Sequence, residues 1–351
     1  MKYLAILGRQ PEISIAELEM SNFCTDINRL GGTQKLAVKL EASPLEYLRN
    51  LQEGKLTIGV SDYSSHASRK SASVEALKLK KILVRHGRSV RVVENKDAVL
   101  STASSLHNGL SGKNPRKVEF MKTDDDWYRV IGVQDIDAYT KRDQARPFRD
   151  ARVGMLPPKL AQILINLCGP LPEGATMLDP FCGTGVVLQE AILMGYHAYG
   201  TDISERMVEY SQKNLEWLKK NGFGNDMFRL SPGDATSFKW TQPIDAVACE
   251  GYLGKPMSQI PSEIKLKEQK QECSAIILGF LKNLAKQIKL GTPVVIAIPA
   301  WLRENGNYER LDILDLITEM GYNVNNKSRE GLLYCREDQI VARDIIILRK
   351  K

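Results

Sequence analysis

Residues 178–187 read LDPFCGTGVV, and the fold turns on how this stretch is taken. A short apolar strand ends on Leu178 and Asp179, the chain turns through Gly183 and Gly185, and an apolar helix follows. A side chain at either glycine would push away a ligand lying across the loop, and glycine also tolerates positive φ. The alternative is an ordinary strand-to-helix turn, since such turns are common. The third glycine of the dinucleotide fingerprint is missing, with valine in its place, which disfavours a dehydrogenase.

Downstream the same unit recurs. HAYGTDISERMVEY (197–210) is a strand, a turn and a helix, with Asp202 closing the strand where a carboxylate can accept both hydrogen bonds of a ribose diol. Its bland reading is a helix N-cap, a task that Ser204 suits as well. PGDAT (232–236) places Asp234 after a third strand, either to bind an adenine amino group or as a plain turn aspartate. IDAVACEGYLGKP (244–256) is a fourth strand that ends on Glu250. Asp179, Asp202, Asp234 and Glu250 thus fall at one predicted sheet edge, and a shared pocket is the simplest account. Phe181, Ile203 and Ala235 stand beside them in the candidate binding set. Helices are expected at 159–168, 273–290 and 310–321, a strand at TPVVIAIP (292–299), and a closing strand pair around 332–348. Such alternation builds a parallel sheet covered by helices, with ligands at the carboxyl ends of its strands.

Upstream, KYLAILG reads as an opening strand and SIAELEMSN as a helix begun by Ser14. GGTQKLAVKLE and KLTIGVSDY follow as strands around a helix at SPLEYLRNLQ, which together read as a small α/β or α+β unit. The stretch 68–94 is helical to about Arg85, breaks at Gly87 and returns as a strand. Residues 69–91 hold eight basic side chains against Glu75 alone, an excess of +7 that equals that of the whole chain. This face is either simply solvated or a phosphate-binding surface that includes Lys78, Lys81, Arg85 and Arg88. Residues 141–157 lack periodicity and read as a linker, with Arg142, Arg146, Arg149 and Arg152 as further phosphate contacts.

The 351 residues are 43% hydrophobic and 26% charged, a core-forming composition with room for two or three domains. Six cysteines form no CxxC pair and do not cluster with the four histidines, so neither a disulfide framework nor a metal site is expected. The apolar start is too short for a signal segment, and no run of about 18 apolar residues suits a membrane span. A reducing cytoplasm is the expected location.

Taken together, LDPFCGTG, GTDIS and GDAT closely resemble the Rossmann-like S-adenosyl-L-methionine-dependent methyltransferases. RPFRDARVGMLPPKLAQILINL (146–167) ahead of MLDPFCGTG is similar to the tRNA guanine-N2-methyltransferases that act on the position-10 guanosine. YLAILGRQPEISIAELE, RLGGTQKLAVKL and IGVSDYSS resemble that family's N-terminal and THUMP segments, and YCREDQIVARDIIIL its last strands. The resemblance implies a ferredoxin-like segment at 1–53, a THUMP-like RNA-binding domain at 54–140 and a methyltransferase domain at 158–351. It also implies tRNA as substrate and, as for some relatives, an activating partner subunit.

That family carries an Asp-Pro-Pro-Tyr type motif after the fourth strand. Here Glu250 matches the acid, Gly251 and Tyr252 the prolines, and Leu253 the aromatic. The resemblance assigns Glu250 to orient the target amine and Tyr252 to stack on the base, with a loop loosened by loss of the prolines. Two other readings stand beside it: an amino-methyltransferase on adenine or DNA, and a non-catalytic RNA-binding protein on the same fold.

Overall fold

A computed structural model of the chain describes residues 1–149, 156–222, 227–325, 332–336 and 339–351. The chain forms two compact units. One comprises Met1–Arg9, Cys24–Asn28 and Thr33–Ala138; the other comprises Gln10–Phe23, Arg29–Gly32 and Tyr139–Lys351.

The first unit is built on a six-stranded sheet of β1 (Tyr3–Leu7), β2 (Thr33–Lys39), β3 (Leu56–Asp62), β4 (Val90–Val92), β5 (Lys117–Lys122) and β6 (Trp127–Val133), in the order β1-β2-β6-β5-β3-β4. Strands from 1–53 and from 54–140 therefore share one sheet, and residue 53 is not a boundary between compact units. β2 bonds to β6, which lies almost a hundred residues downstream, and local pattern reading cannot see that pairing.

Helix α3 (Arg69–Arg85) follows the sequence reading closely. Ser68 and Ser71 close a capping box at its start, and Ala72, Ala76, Leu79 and Leu83 are buried at helical spacing against Leu56, Ile58, Val118 and Phe120. Beneath the sheet, Lys35 Nζ donates to Glu119 Oε1 at 2.7 Å and to the Leu100 carbonyl at 2.6 Å. The hydroxyls of Ser61 and Ser105 donate to the two oxygens of Glu119, so this buried ion pair is fully hydrogen-bonded.

In the second unit, β7 (Thr176–Asp179), β8 (His197–Asp202), β9 (Phe228–Pro232), β10 (Ala246–Glu250) and β11 (Pro293–Leu302) are parallel. β15 (Val341–Lys350) is inserted antiparallel between β11 and β13 (Tyr322–Val324), giving the order β13-β15-β11-β10-β7-β8-β9. Short β12 (Tyr308–Arg310) pairs with β11, and β14 (Leu333–Tyr334) with β15. The expected closing strand pair is thus two residues of β14 beside a long central β15. The order reverses between β7 and β10, which makes a crevice at their carboxyl ends.

The sheet is covered by helices α6 (Pro158–Leu167), α7 (Val186–Leu193), α8 (Glu205–Lys220) and α9 (Glu263–Leu284), and α10 (Leu314–Glu319) precedes β13. α9 starts ten residues before the expected position. Its first half, EIKLKEQKQE, is made of good helix formers and buries only Leu266 and Gln269, too sparse an apolar stripe to be seen in the sequence. Helix α1 (Pro11–Met20) begins at Pro11, whose fixed φ suits a first helical position, rather than at Ser14; the Ser14 hydroxyl instead donates to the Gln10 carbonyl. This helix belongs to the second unit, where Glu17 accepts from Gly31 N, Gly32 N and Asn166 Nδ2.

Candidate active site

The carboxyl ends of β7, β8, β9 and β10 open into a cleft of about 880 Å³. Asp179, Asp202, Asp234 and Glu250 all line it, as do Phe181, Gly183, Ile203, Ala235 and Tyr252. The predicted acids are therefore brought to one place.

On one side lies the glycine loop. Gly185 caps α7 at φ 83°, and a Cβ there would meet Ser211 Oγ at 2.9 Å, so any larger residue is both strained and crowded. Asp202 Oδ2 accepts from Gly183 N and Oδ1 from Ser204 N, each at 2.9 Å. Each oxygen keeps a further lone pair, which leaves the carboxylate fixed by the backbone and still able to receive a vicinal diol. Ser204 occupies the N-cap position of α8 but makes no side-chain cap bond. Burial raises the Asp202 carboxyl above its usual range, against the two backbone bonds. Asp179 is fully buried, and desolvation pushes its carboxyl well up. Ile203 is 75% exposed at the rim, an apolar face open to a planar ring. Asp234 is exposed, and its Oδ1 accepts from both the amide and the hydroxyl of Thr236 at 2.8 Å, so it makes the turn as well as lining the cleft.

Asn214 of α8 supports this loop. It is buried, accepts from Phe148 N at 3.0 Å, and donates to the carbonyls of Phe148 and Thr184 at 2.9 and 2.8 Å. An asparagine on the apolar side of a helix is the signal that could have found it.

On the other side stands the loop after β10. Glu250 Oε1 accepts from Arg343 Nε of β15 at 2.5 Å. Arg343 is 4% exposed and Glu250 17%, and Arg343 Nη1 donates to Gln339 Oε1 at 3.1 Å. The peptide N–H of Gly251 donates to the Ala297 carbonyl at 2.9 Å, a bond that proline at this position could not make. The Tyr252 hydroxyl donates to Glu272 Oε1 of α9, and Gln269 Nε2 donates to Glu272 Oε2. Gln269 Oε1 accepts the amide of Lys255 at 2.7 Å. A Cβ on Gly254, at φ 86°, would lie 2.5 Å from that same Gln269 oxygen. Side chains of α9 thus contact the loop through Tyr252 and Lys255, where the resembling family has prolines in its motif. Burial, with Glu272 next, pushes the Tyr252 hydroxyl up to about 12. The ring packs partly against the apolar cluster under α9 while still lining the cleft.

Arg343, Glu272 and Gln269 were not foreseen. A charged pair, Arg343 and Asp344, inside the otherwise apolar strand VARDIIIL was the visible sign that something polar had to be met there.

The basic residues separate into two groups. Lys78, Lys81 and Arg85 are exposed on α3, as is Arg149. Arg88 is half-buried, with its guanidinium donating to the carbonyls of Leu51 and Gln52. Arg142 and Arg146 contradict the expectation of phosphate contacts. Arg142 forms a bidentate pair with buried Glu190, at 2.7 and 3.1 Å, and stacks 3.8 Å over Tyr139; the Arg146 side chain is fully buried. The apparent linker begins inside helix α5 (Ile136–Gln144), whose last turn carries Arg142 inward. Arg152 lies outside the described residues.

Sheet order and cleft together define the fold, a Rossmann-like α/β domain with its cleft where the strand order reverses. Residues 146–274 match the family described as UPF0020, RMKL-like, methyltransferase domain. Among curated proteins, the chain is 31% identical over 162 residues to the tRNA (guanine(10)-N2)-dimethyltransferase of Methanothermobacter thermautotrophicus, covering 46% of this chain and 44% of that protein. It is 41% identical over 117 residues to the protein of the same name from Pyrococcus abyssi, covering 32% of each. The chain thus matches less than half the length of these relatives. The crystal structure of TrmN from Thermus thermophilus aligns over 91% of this chain and 84% of its own, at TM-score 0.47 and 17% identity.

Among the described residues no helix is long and apolar enough to cross a membrane. No group of three or more His, Cys, Asp or Glu among them is placed to hold a metal ion.

Proposed function

We propose that the protein methylates the exocyclic N2 amine of a guanosine in tRNA, with S-adenosyl-L-methionine as donor. One observation carries the reading: a single cleft joins a diol-accepting carboxylate on a glycine loop, Asp202, to an acid-and-aromatic loop, Glu250 to Tyr252. Asp202, the Gly183–Gly185 loop and the exposed face of Ile203 would hold the cofactor; buried Ala235 and half-buried Phe181 wall the same region. When bound, the cofactor supplies a methyl group on a sulfonium, a good electrophile with a neutral leaving group.

The chain supplies geometry and a proton acceptor. An exocyclic amine is a poor nucleophile because its lone pair is spread into the ring. Glu250, accepting an N–H hydrogen bond, draws the nitrogen toward pyramidal geometry. Glu250, or water beside it, would take the N–H proton that the amine gives up on methylation. Tyr252 and the apolar wall beside it hold the extruded base. The names of the two relatives favour guanine over adenine and two successive transfers over one. The first unit is read as a THUMP-like RNA-binding domain, with Lys78, Lys81 and Arg85 on phosphates. A cytoplasmic location, where tRNA is modified, goes with this reading.

The test is methyl transfer from labelled S-adenosylmethionine to unmodified bulk tRNA, with nucleosides identified by mass spectrometry. N2-methylguanosine or its dimethyl form, absent with Glu250→Ala, is the expected result. N6-methyladenosine would move the assignment to another amine. No transfer with cofactor binding retained would point to a missing partner subunit or a binding protein on this fold.

A further inference from the structure

Glu250 reaches one methylene further than the aspartate its place resembles, and an unanchored glutamate has an additional rotor to immobilise before it can act. In this chain the anchoring is done by Arg343. Its guanidinium is buried on β15, a strand paired on both sides, and lies 6.0 Å from the centroid of the Tyr334 ring. Arginine and carboxylate often pair through two parallel bonds, which would consume both carboxylate oxygens. Here the fork is divided: Nε takes Glu250 Oε1 and Nη1 takes Gln339 Oε1. Among the described residues, Oε2 of Glu250 carries no hydrogen bond, although the residue lines the cleft.

We propose that Arg343 is a positioning residue, which by holding Oε1 turns Oε2 of Glu250 into the fixed acceptor for the target amine. Gln339 assists by diverting the second arm of the guanidinium. The assignment rests on the methyl transfer proposed above. It explains how glutamate serves in this position: the added length is used to reach Arg343, and the lost rigidity is restored from β15, two strands away across β11. A group held near its productive geometry acts without reorganising, and misplacement by about 1 Å costs on the order of 10²-fold in rate.

Turnover and S-adenosylhomocysteine affinity are to be measured for the unaltered chain, Arg343→Gln, Arg343→Lys, Glu250→Gln and the double variant Glu250→Gln/Arg343→Gln. Arg343→Gln is expected to lower kcat by about 10- to 100-fold with KM for the cofactor and calorimetric affinity unchanged. Arg343→Lys should recover part of the rate. The double variant, which leaves no buried carboxylate unpaired and so guards against misfolding, should be no slower than Glu250→Gln alone, because a residue acting only through another adds nothing once that other is gone. Multiplying losses in the double variant, or full turnover by Arg343→Gln, would overturn the assignment while leaving the methyl transfer intact. Absence of transfer by the unaltered chain, even with cell extract added as a source of a partner subunit, overturns both.

Discussion

The hydroxyl of Tyr252 donates to Oε1 of Glu272 at 3.1 Å, fastening the loop after β10 to helix α9. Glu272 also receives Gln269, which in turn holds the amide of Lys255, so one carboxylate anchors both ends of the loop. Tyr252→Phe removes one hydrogen bond, worth about 1 kcal/mol net, and keeps the ring; a few-fold rise in KM for tRNA is expected. Glu272→Ala frees Tyr252 and Gln269 together and should cost on the order of tenfold in kcat/KM with cofactor affinity unchanged. Steady-state kinetics with both substrates varied decides this. Wild-type kinetics for Glu272→Ala would show that the loop needs no such anchor.

The basic residues should divide in the same way in experiment as they do in space. Lys78→Glu with Lys81→Glu changes exposed charges on α3 and should leave the melting temperature unchanged. The slope of log K against log salt for tRNA binding should fall by roughly 0.7–0.9 for each phosphate that is no longer neutralised. Arg142→Ala strands buried Glu190 and should destabilise the fold by about 3–5 kcal/mol, with the salt slope of the surviving folded protein unaltered. Melting curves and filter binding at several salt concentrations separate the two. An unchanged slope in the double lysine variant would mean that α3 is a solvated face only.

Gly185→Ala places a methyl group 2.9 Å from Ser211 Oγ at a left-handed φ. Loss of about 1–3 kcal/mol of stability is expected, with weaker S-adenosylhomocysteine binding. Asp202→Asn replaces a double acceptor by a mixed group, one arm of which would face the N–H of Gly183 or Ser204; affinity should drop by tenfold or more while turnover at saturating cofactor falls less. Calorimetry with S-adenosylhomocysteine reads both, and unaltered binding by Asp202→Asn would remove the diol assignment.

Glu17 is the residue whose titration should be felt in stability. Burial, set against bonds from Asn166, Gly32 and Gly31, pushes its carboxyl up from the usual 4.5 to about 7. A raised carboxyl favours the protonated folded state. The stabilisation is therefore complete below about pH 4.5 and is lost as the pH rises through about 7. The contribution is at most about 3 kcal/mol. Thermal melts from pH 4.5 to 8 should show this decline in the wild type and a flatter curve in Glu17→Gln. A parallel decline in both would assign the effect to other groups.

The cofactor half of the cleft was legible in the sequence because its parts are close along the chain. Asp179, Gly183, Gly185 and Asp202 come from two consecutive strand–turn–helix units, each an apolar run that ends on an aspartate, and the first turn is marked by its two glycines. Glu250 was legible for the same reason. What held it was not: Arg343 comes from an antiparallel strand, and strand pairing over such distances leaves no local periodicity. Arg142 was misread because the last turn of α5 carries it inward against Glu190, and Arg146 because the chain just past that helix buries it near Asp143; charge counting is blind to orientation. The start of α9 was missed because a mostly polar helix shows its burial through two residues only.

The partner of Glu250 lies 93 residues further along the chain, whereas Gly183 and Asp202, the pair that shapes the cofactor loop, are separated by 19. Closing the larger loop costs roughly 1.4 kcal/mol more in chain entropy. The half of the cleft proposed to receive the donor is thus closed by contacts between two neighbouring strand–turn–helix units, whereas the half proposed to receive the nucleobase is complete only with β15 in the sheet. A chain without β15 would keep the backbone bonds that fix Asp202 and leave the Glu250 carboxylate without Arg343.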